Sequence, residues 1–387
     1  MLIDVSRLVG RLLKGRIPTG VDRVGLAYLR HYGPRARAVL SVSGSSLVCR
    51  PAESQALFAW LLDMGRSGKP WQTVWRALLS GTSGRSECGS IFLNTGHTGL
   101  HRSRYIDMLR RREVRPLLLI HDLIPITHPQ FCRAGEQARH QVRMQQALAI
   151  GSGIICNSRA TLDALTEHCL RIGRKMPPAV AAPLASDLPR GGGRDARAFP
   201  EPYFVLLSTI EPRKNHLMIL QVWQRLIERM GERTPRLILV GQRGWECEHV
   251  TRLLERSGKI RSFVEEKGSC TDEELVTLLR HAQALLFPSF VEGYGMPVIE
   301  ALAQGVPVIA SNLPVFREFA HDIPVYADPL DAMRWIQLIE SYTDNGCPDR
   351  MRQLSLMAAF RAPSWADHFD RVDELIERVT RVEPVYA

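Results

Sequence analysis

The run Phe290-Val291-Glu292-Gly293-Tyr294-Gly295-Met296-Pro297-Val298-Ile299-Glu300 follows an apolar stretch, Ala284-Leu285-Leu286-Phe287, and the pair Pro288-Ser289. An apolar run of strand length, a short loop with two glycines two apart, and a pattern opening Val298-Ile299-Glu300-Ala301-Leu302 read as strand, tight loop and helix. Pro297 suits the first helical turn, where its missing N–H is no loss. Gly293 and Gly295 let the backbone approach a ligand closely. The free N–H groups and positive dipole end of that helix suit an anion such as a diphosphate. Glu292 stands at the mouth of the loop and Glu300 about one turn into the helix. Two carboxylates beside a phosphate site point to hydroxyl recognition, on a sugar or a ribose. The plainer account of the same pair is an acidic loop followed by a surface glutamate.

The stretch runs on through Ala301-Leu302-Ala303-Gln304-Gly305-Val306-Pro307-Val308-Ile309-Ala310-Ser311. As a whole loop–helix–loop–strand unit it resembles the signature of retaining glycosyltransferase family four. The resemblance implies the GT-B fold: an α/β protein with two Rossmann-like domains facing across a cleft, and a C-terminal helix crossing back to the N-terminal domain. It also implies donor-binding roles for Gly293, Tyr294, Gly295, Met296, Pro297 and Glu300, with Glu300 on the ribose hydroxyls. Glu292 is expected at a donor-sugar hydroxyl or at positive charge on the anomeric centre.

Upstream, Tyr203 to Leu207 reads as a buried strand that opens the second domain. Ser208-Thr209-Ile210-Glu211-Pro212-Arg213-Lys214-Asn215-His216 follows, then an amphipathic helix through Leu220, Trp223, Leu226 and Ile227. Arg213 and Lys214 fall at a strand-to-helix turn, where a guanidinium fork and an ammonium can hold a diphosphate. A solvated basic turn is the alternative. With Pro212 and Asn215 alongside, the segment resembles the family's donor-phosphate motif. That implies catalytic roles for Arg213 and Lys214 and a donor-binding one for Asn215, with Glu211 anchoring the loop. Arg236 to Val240 is the next strand, and its glycine loop, beginning at Gly241, is expected beside the donor nucleotide. Ile260 to Val264 reads as a short strand, and Asp328-Pro329 as the start of the helix that carries Trp335.

In the first half, Leu2 to Leu8 reads as a strand and Gly10 to Pro18 as a basic loop. Thr19-Gly20-Val21-Asp22 has capping-box spacing and opens a helix that runs to Tyr32. No G-x-G-x-x-G follows the first strand, which argues against a dinucleotide dehydrogenase. The resemblance places Gly20 beside the donor phosphates. Residues 55 to 79, with Trp60, Trp71 and Trp75, read as helices of an insertion packed on this domain. Leu117 to Ile120 is a buried strand with His121-Asp122 at its carboxyl end, the end that faces the ligand in open α/β sheets. A lone histidine is commonly structural. The run His121-Asp122-Leu123-Ile124-Pro125, however, resembles a family loop whose histidine faces the donor sugar, which implies a catalytic role for His121. Ser158 has the position of a helix cap.

The length of 387 residues allows two or three domains. Gly191-Gly192-Gly193-Arg194-Asp195 has linker composition. The expected division is therefore an N-terminal acceptor domain over 1–190 completed by a terminal helix over 364–387, a linker over 191–201, and a donor domain over 202–363. No run of 18 apolar residues stands in the chain, which argues against a spanning helix, and the N-terminus does not have the pattern of a signal peptide. Eight scattered cysteines without C-x-x-C spacing read as reduced thiols of a cytosolic protein. The net charge of +10 fits simple solubility, an anionic membrane surface or a phosphorylated acceptor. No nucleic-acid-binding motif accompanies it.

Together these imply retaining transfer of a sugar, mannose or a related hexose or deoxyhexose, from a nucleotide-diphosphate sugar such as GDP-mannose. The acceptor implied is an oligosaccharide or a lipid-diphosphate-linked saccharide of surface polysaccharide assembly, at the inner face of the cytoplasmic membrane. No D-x-D motif stands at a fitting strand end, so neither a metal nor another cofactor is expected. A sugar-nucleotide epimerase and a non-catalytic nucleotide-sugar-binding protein are the rival readings.

Overall fold

The computed structural model describes residues 1–16, 18–42, 45–66, 70–82, 87–189 and 199–381. The chain divides into two compact units, Met1–Leu184 with Ser364–Ala387, and Ala185–Pro363. The expected boundary at 190 and the expected linker, apart from residues 199–201, lie outside the described residues.

The first unit holds a seven-stranded sheet: β1 (Leu2–Asp4), β2 (Arg37–Val42), β3 (Ser45–Val48), β4 (Ile91–Asn94), β5 (Arg115–Ile120), β6 (Gly153–Cys156) and β7 (Ala179–Ala181). The spatial order is β3-β2-β1-β4-β5-β6-β7. Only the β2–β3 hairpin is antiparallel. Parallel strands covered by helices on both faces are apolar throughout, and β4 and β6 are buried at every residue. The strand order reverses between β1 and β4, so the carboxyl ends of these two strands open a crevice.

The first strand is shorter than its sequence suggests. Asp4 Oδ1 accepts the Ser6 N–H at 2.9 Å and closes a turn, and Ser6–Leu12 is helical, burying Leu8 and Val9. The strand expected to reach Leu8, and the loop expected from Gly10, are corrected accordingly. The next helix, Gly20–Tyr32, opens as expected: Asp22 reaches back to the Thr19 N–H at 2.7 Å. The expected insertion is a pair of helices, Pro51–Leu62 and Pro70–Ser80.

The last helix, Trp365–Thr380, packs within the first unit. Ser364 caps it, accepting the Asp367 N–H at 3.1 Å. Phe369, Val372, Leu375 and Val379 are buried along one face, each contributing about 1.5–3 kcal/mol of apolar burial. His368 donates from Nδ1 to the Ala182 carbonyl at 3.0 Å and accepts at Nε2 from the Tyr28 hydroxyl at 2.9 Å. Tyr32 adds a 2.9 Å bond to Asp373.

The second unit is a six-stranded, wholly parallel sheet: β8 (Tyr203–Leu207), β9 (Arg236–Val240), β10 (Val264–Lys267), β11 (Leu285–Phe287), β12 (Val308–Ser311) and β13 (Val325–Ala327). Its order is β10-β9-β8-β11-β12-β13, reversing between β8 and β11. The largest side chains of its core, Trp223 and Trp335, are fully buried. Each indole N–H finds a carbonyl, Pro235 at 3.0 Å and Asp328 at 2.9 Å. Two sequence expectations shift here. Ser257 accepts the Ile260 N–H at 3.3 Å and caps a helix over Gly258–Phe263, so the strand expected from Ile260 begins at Val264. Asp328 closes a turn on Leu330, and Asp331 is the cap of the helix Ala332–Tyr342.

Candidate functional site

In the second unit the charged residues gather where the strand order reverses. Leaving β8, the chain turns through Glu211 and a short 3-10 turn, Pro212–Lys214, to Asn215. Asn215 holds the left-handed conformation (φ 60°), which asparagine tolerates well. Its side chain donates to the Pro329 carbonyl at 2.8 Å, so its amide secures the loop. Leaving β11, the loop 288–295 lies against this turn, with the Phe290 N–H donating to the Arg213 carbonyl at 2.9 Å.

Arg213 reaches Glu292 at 2.9 Å and Glu211 at 2.7 Å. Lys214 reaches the other oxygen of Glu292, Oε1, which also accepts from the Ser289 hydroxyl at 2.6 Å. The Lys214 ammonium lies 5.3 Å from the centre of the Phe287 ring. Burial alone would push the Glu292 carboxyl up, but Lys214 and Arg213 outweigh it and hold it at about 2. Burial and the Arg213 charge push Lys214 down, against the pull of Glu292. Two cations and two carboxylates thus form one partly buried network with both signs balanced. Glu292, expected at a sugar hydroxyl, here orients both cations.

The glycines divide by cause. Gly241 (φ 149°) sits where a Cβ would lie 2.0 Å from the Ser208 carbonyl oxygen, so the β8 and β9 loops meet backbone to backbone. Gly295 (φ 102°) would drive a Cβ to 2.4 Å from the Phe316 ring. That glycine is demanded by conformation and packing as well as by any ligand. It leads into the helix Met296–Ala303, with Pro297 in the first turn and Glu300 buried on it. Tyr294 is buried too, its ring 5.4 Å from that of Phe319. Arg213, Lys214 and Glu292 are therefore joined by contacts, Asn215 is tied instead to Pro329, and Gly241, Gly293–Pro297 and Glu300 stand on neighbouring strand ends of the same unit.

In the first unit, the candidate residues stand at the ends of β1, β4, β5 and β6. His121 is buried; its Nε2–H donates to the Thr95 carbonyl at 2.7 Å and its own carbonyl accepts from Asn157 at 2.8 Å. The His97 and His140 rings lie nearby: His97 is 5.5 Å from His121 and 5.6 Å from His140, centre to centre. Burial pushes all three imidazoles down, His97 well below its ordinary value, so the group is neutral at neutral pH. Beside them Asp22 is buried, held at 2.8 Å by both Arg7 and Arg11. A Cβ on Gly96 would come within 2.9 Å of Arg7 Cδ. Gly20 begins its helix with open space where a Cβ would be.

Sequence reasoning missed Arg7, Arg11, His97 and His140 as parts of this floor. The signal for His97 was its place one turn after a strand end, and for Arg7 the overlooked helix Ser6–Leu12. Among the described residues, no group of three or more His, Cys, Asp or Glu is arranged to hold a metal ion, and no helix is long and apolar enough to cross a membrane. All eight cysteines are free.

The family model for glycosyl transferases group 1 matches residues 195–355. The O-antigen chain mannosyltransferase B of Escherichia coli is 40% identical over 129 residues, 33% of each chain. The serotype-specific mannosyltransferase WbdA of Escherichia coli is 26% identical over 257 residues, 61% of this chain and 31% of that one. The matches thus span about a third of the length of these relatives. Among solved structures, the Anabaena protein HepE in complex with UDP superposes with a TM-score of 0.65 at 14% identity, over 97% of this chain and 99% of that one. TarM gives 0.57 at 12% identity, over 88% and 63%. At such identities these two likenesses speak for the fold. The fold is the GT-B fold, with two Rossmann-like units, and the family match to glycosyl transferases group 1 lies within the second unit and its approach.

Proposed function

We propose that the chain is a retaining glycosyltransferase that takes a hexose, mannose or a close relative, from a nucleotide-diphosphate sugar. The observation that carries this reading is the convergence of Arg213 and Lys214 on Glu292 at the β8/β11 reversal. As the bond between the anomeric carbon and the diphosphate oxygen breaks, its electron pair leaves with the nucleotide. Arg213, Lys214 and the N-terminal end of the helix Met296–Ala303 stabilise the charge that grows there. Glu292 holds both cations in place before the donor arrives, and Glu300 takes the ribose hydroxyls. His121 addresses the donor sugar as a neutral imidazole. Two cations at the leaving group make a divalent metal unnecessary in this reading, and activity in the presence of a chelator checks it.

The names of the relatives favour a mannosyl donor, with GDP-mannose first in the panel, and an acceptor in O-antigen-type polysaccharide assembly. A lipid-linked acceptor places the work on the cytoplasmic side of a membrane, where the basic first unit favours an anionic surface. Several fold neighbours hold UDP or a UDP-sugar, so uridine donors belong in the same panel. The test is nucleotide release from GDP- and UDP-sugars without acceptor. Release from one donor, lost in Lys214→Ala and Glu292→Ala, supports the reading. No release, together with no thermal stabilisation by any nucleoside diphosphate, overturns it.

A further inference from the structure

The helix Pro70–Ser80 has two faces. Val74 and Ala77 are buried against the unit. On the opposite side Trp71, Trp75 and Leu79, four residues apart, are 61%, 58% and 81% exposed. Helical spacing of four puts the three on one stripe. Single exposed apolar residues are ordinary, whereas two indoles and a leucine in line on a soluble surface mark an interaction site. Polar residues border the stripe: Gln72 and Arg76 are exposed on the same helix, and Arg66 is exposed in the turn before it.

Charge identifies the partner. The first unit carries 29 Lys and Arg against 17 Asp and Glu, a net +12, while the second carries 21 against 23, a net −2. The whole positive balance of the protein lies on the unit that bears the stripe. A second copy docking by the same face would bring two such units together against their mutual repulsion. Tryptophan prefers the boundary between lipid headgroups and acyl chains, where its ring is apolar and its N–H stays wet. An amphipathic helix with Trp and Leu on one face and Arg beside it lies in that boundary.

We propose that the helix Pro70–Ser80 is the face by which the first unit rests on an anionic lipid bilayer. Trp71, Trp75 and Leu79 enter the headgroup boundary, and Arg66 and Arg76 meet anionic headgroups. The helix is about 16 Å long, so it lies along the surface and spans nothing. This deepens the membrane-side part of the functional reading and rests on it, yet it needs neither donor nor acceptor to be tested.

The experiment is flotation of the full chain with vesicles of phosphatidylcholine alone and with phosphatidylglycerol mixed in. The wild type is expected to float with the anionic vesicles and to stay behind with the neutral ones. Trp71→Ser/Trp75→Ser lowers partitioning by roughly tenfold or more. Arg66→Gln/Arg76→Gln lowers it by about tenfold in low salt, with a smaller loss in high salt. Both variants keep the wild-type melting temperature and donor hydrolysis in solution. Failure of the wild type to float with anionic vesicles, or unchanged flotation of the tryptophan variant, overturns the proposal. A wild-type dimer that becomes a monomer in the tryptophan variant also overturns it, assigning the face to a second copy. Donor hydrolysis in solution judges the transferase reading separately.

Discussion

Both units assemble polar side chains at the carboxyl ends of parallel strands where the strand order reverses, and they charge them in opposite ways. The second unit is nearly neutral overall, yet its strand ends hold the interlocked ions Arg213, Lys214, Glu211 and Glu292. The first unit is strongly basic overall, yet the floor around His121 is made of uncharged imidazoles, with Arg7 and Arg11 sharing the one carboxylate of Asp22 and leaving a single positive charge among the three. Net charge and site charge are therefore set independently. Net charge belongs to the solvated surface and governs what the unit approaches. Site charge is set by burial and by immediate partners, and governs what the site can bind.

The contrast predicts a large effect at Glu292. Glu292→Ala leaves Lys214 buried beside Arg213 without its partner, at a cost on the order of 3–5 kcal/mol. Donor hydrolysis should fall by roughly a hundredfold or more. Chemical denaturation and nucleotide release measure the two. If Glu292→Ala keeps both, the balanced network is not the organising feature of the second unit.

A smaller effect follows from pH. The Glu292 carboxyl is held at about 2 against an ordinary 4.5. A depressed carboxyl contributes stability that is fully present above its unfolded value and is lost as pH falls through the folded one. The expected loss is about 3 kcal/mol between roughly pH 4.5 and 2. Histidines held down by burial act earlier, because the unfolded chain takes up protons from below about pH 6.5. His97, His121, His140 and His368, the last at about 4, all lie in the first unit. His216, at about 3, lies in the second. Hydrogen exchange at successively lower pH should therefore show β4–β6 losing protection before β8 and β11. The reverse order would break the comparison.

The glycines give the next step down. Gly295→Ala forces a Cβ onto Phe316 at a positive φ and should cost about 2 kcal/mol in thermal melting. The smallest effect is at Gly20→Ala, which faces open space at the head of its helix and should move stability by less than about 0.5 kcal/mol. A substantial loss of donor affinity in Gly20→Ala at unchanged stability would assign that open space to the ligand.

What could be read from sequence follows the same division. In the second unit the decisive residues lie in two short runs, 211–215 and 288–300, each a whole strand-to-helix turn, so type and spacing sufficed to place them. That Glu292 faces Lys214 rather than outward depends on two loops meeting some 78 residues apart, and no local pattern carries it. In the first unit the floor is gathered from residues 7, 22, 97, 121, 140 and 157, each from a different helix or strand-end loop. His121, beside an apolar strand, stood out. The helix Ser6–Leu12 was read as strand and loop because Leu8, Val9 and Leu12 fit either period over so short a run. The turn at Asp4 decides between them.

The terminal helix sets a timetable. Its face of Phe369, Val372, Leu375 and Val379 covers part of a unit whose other residues end at Leu184. The Tyr28–His368 bond closes a loop of 340 residues. During synthesis the ribosome must make the whole of 185–363 before this cover emerges, which takes about 10–40 s at common elongation rates. The first unit to leave the ribosome is thus the last to be finished. For that interval, the wall near β6 and β7 that the helix will cover stands open, within reach of chaperones and of other nascent chains.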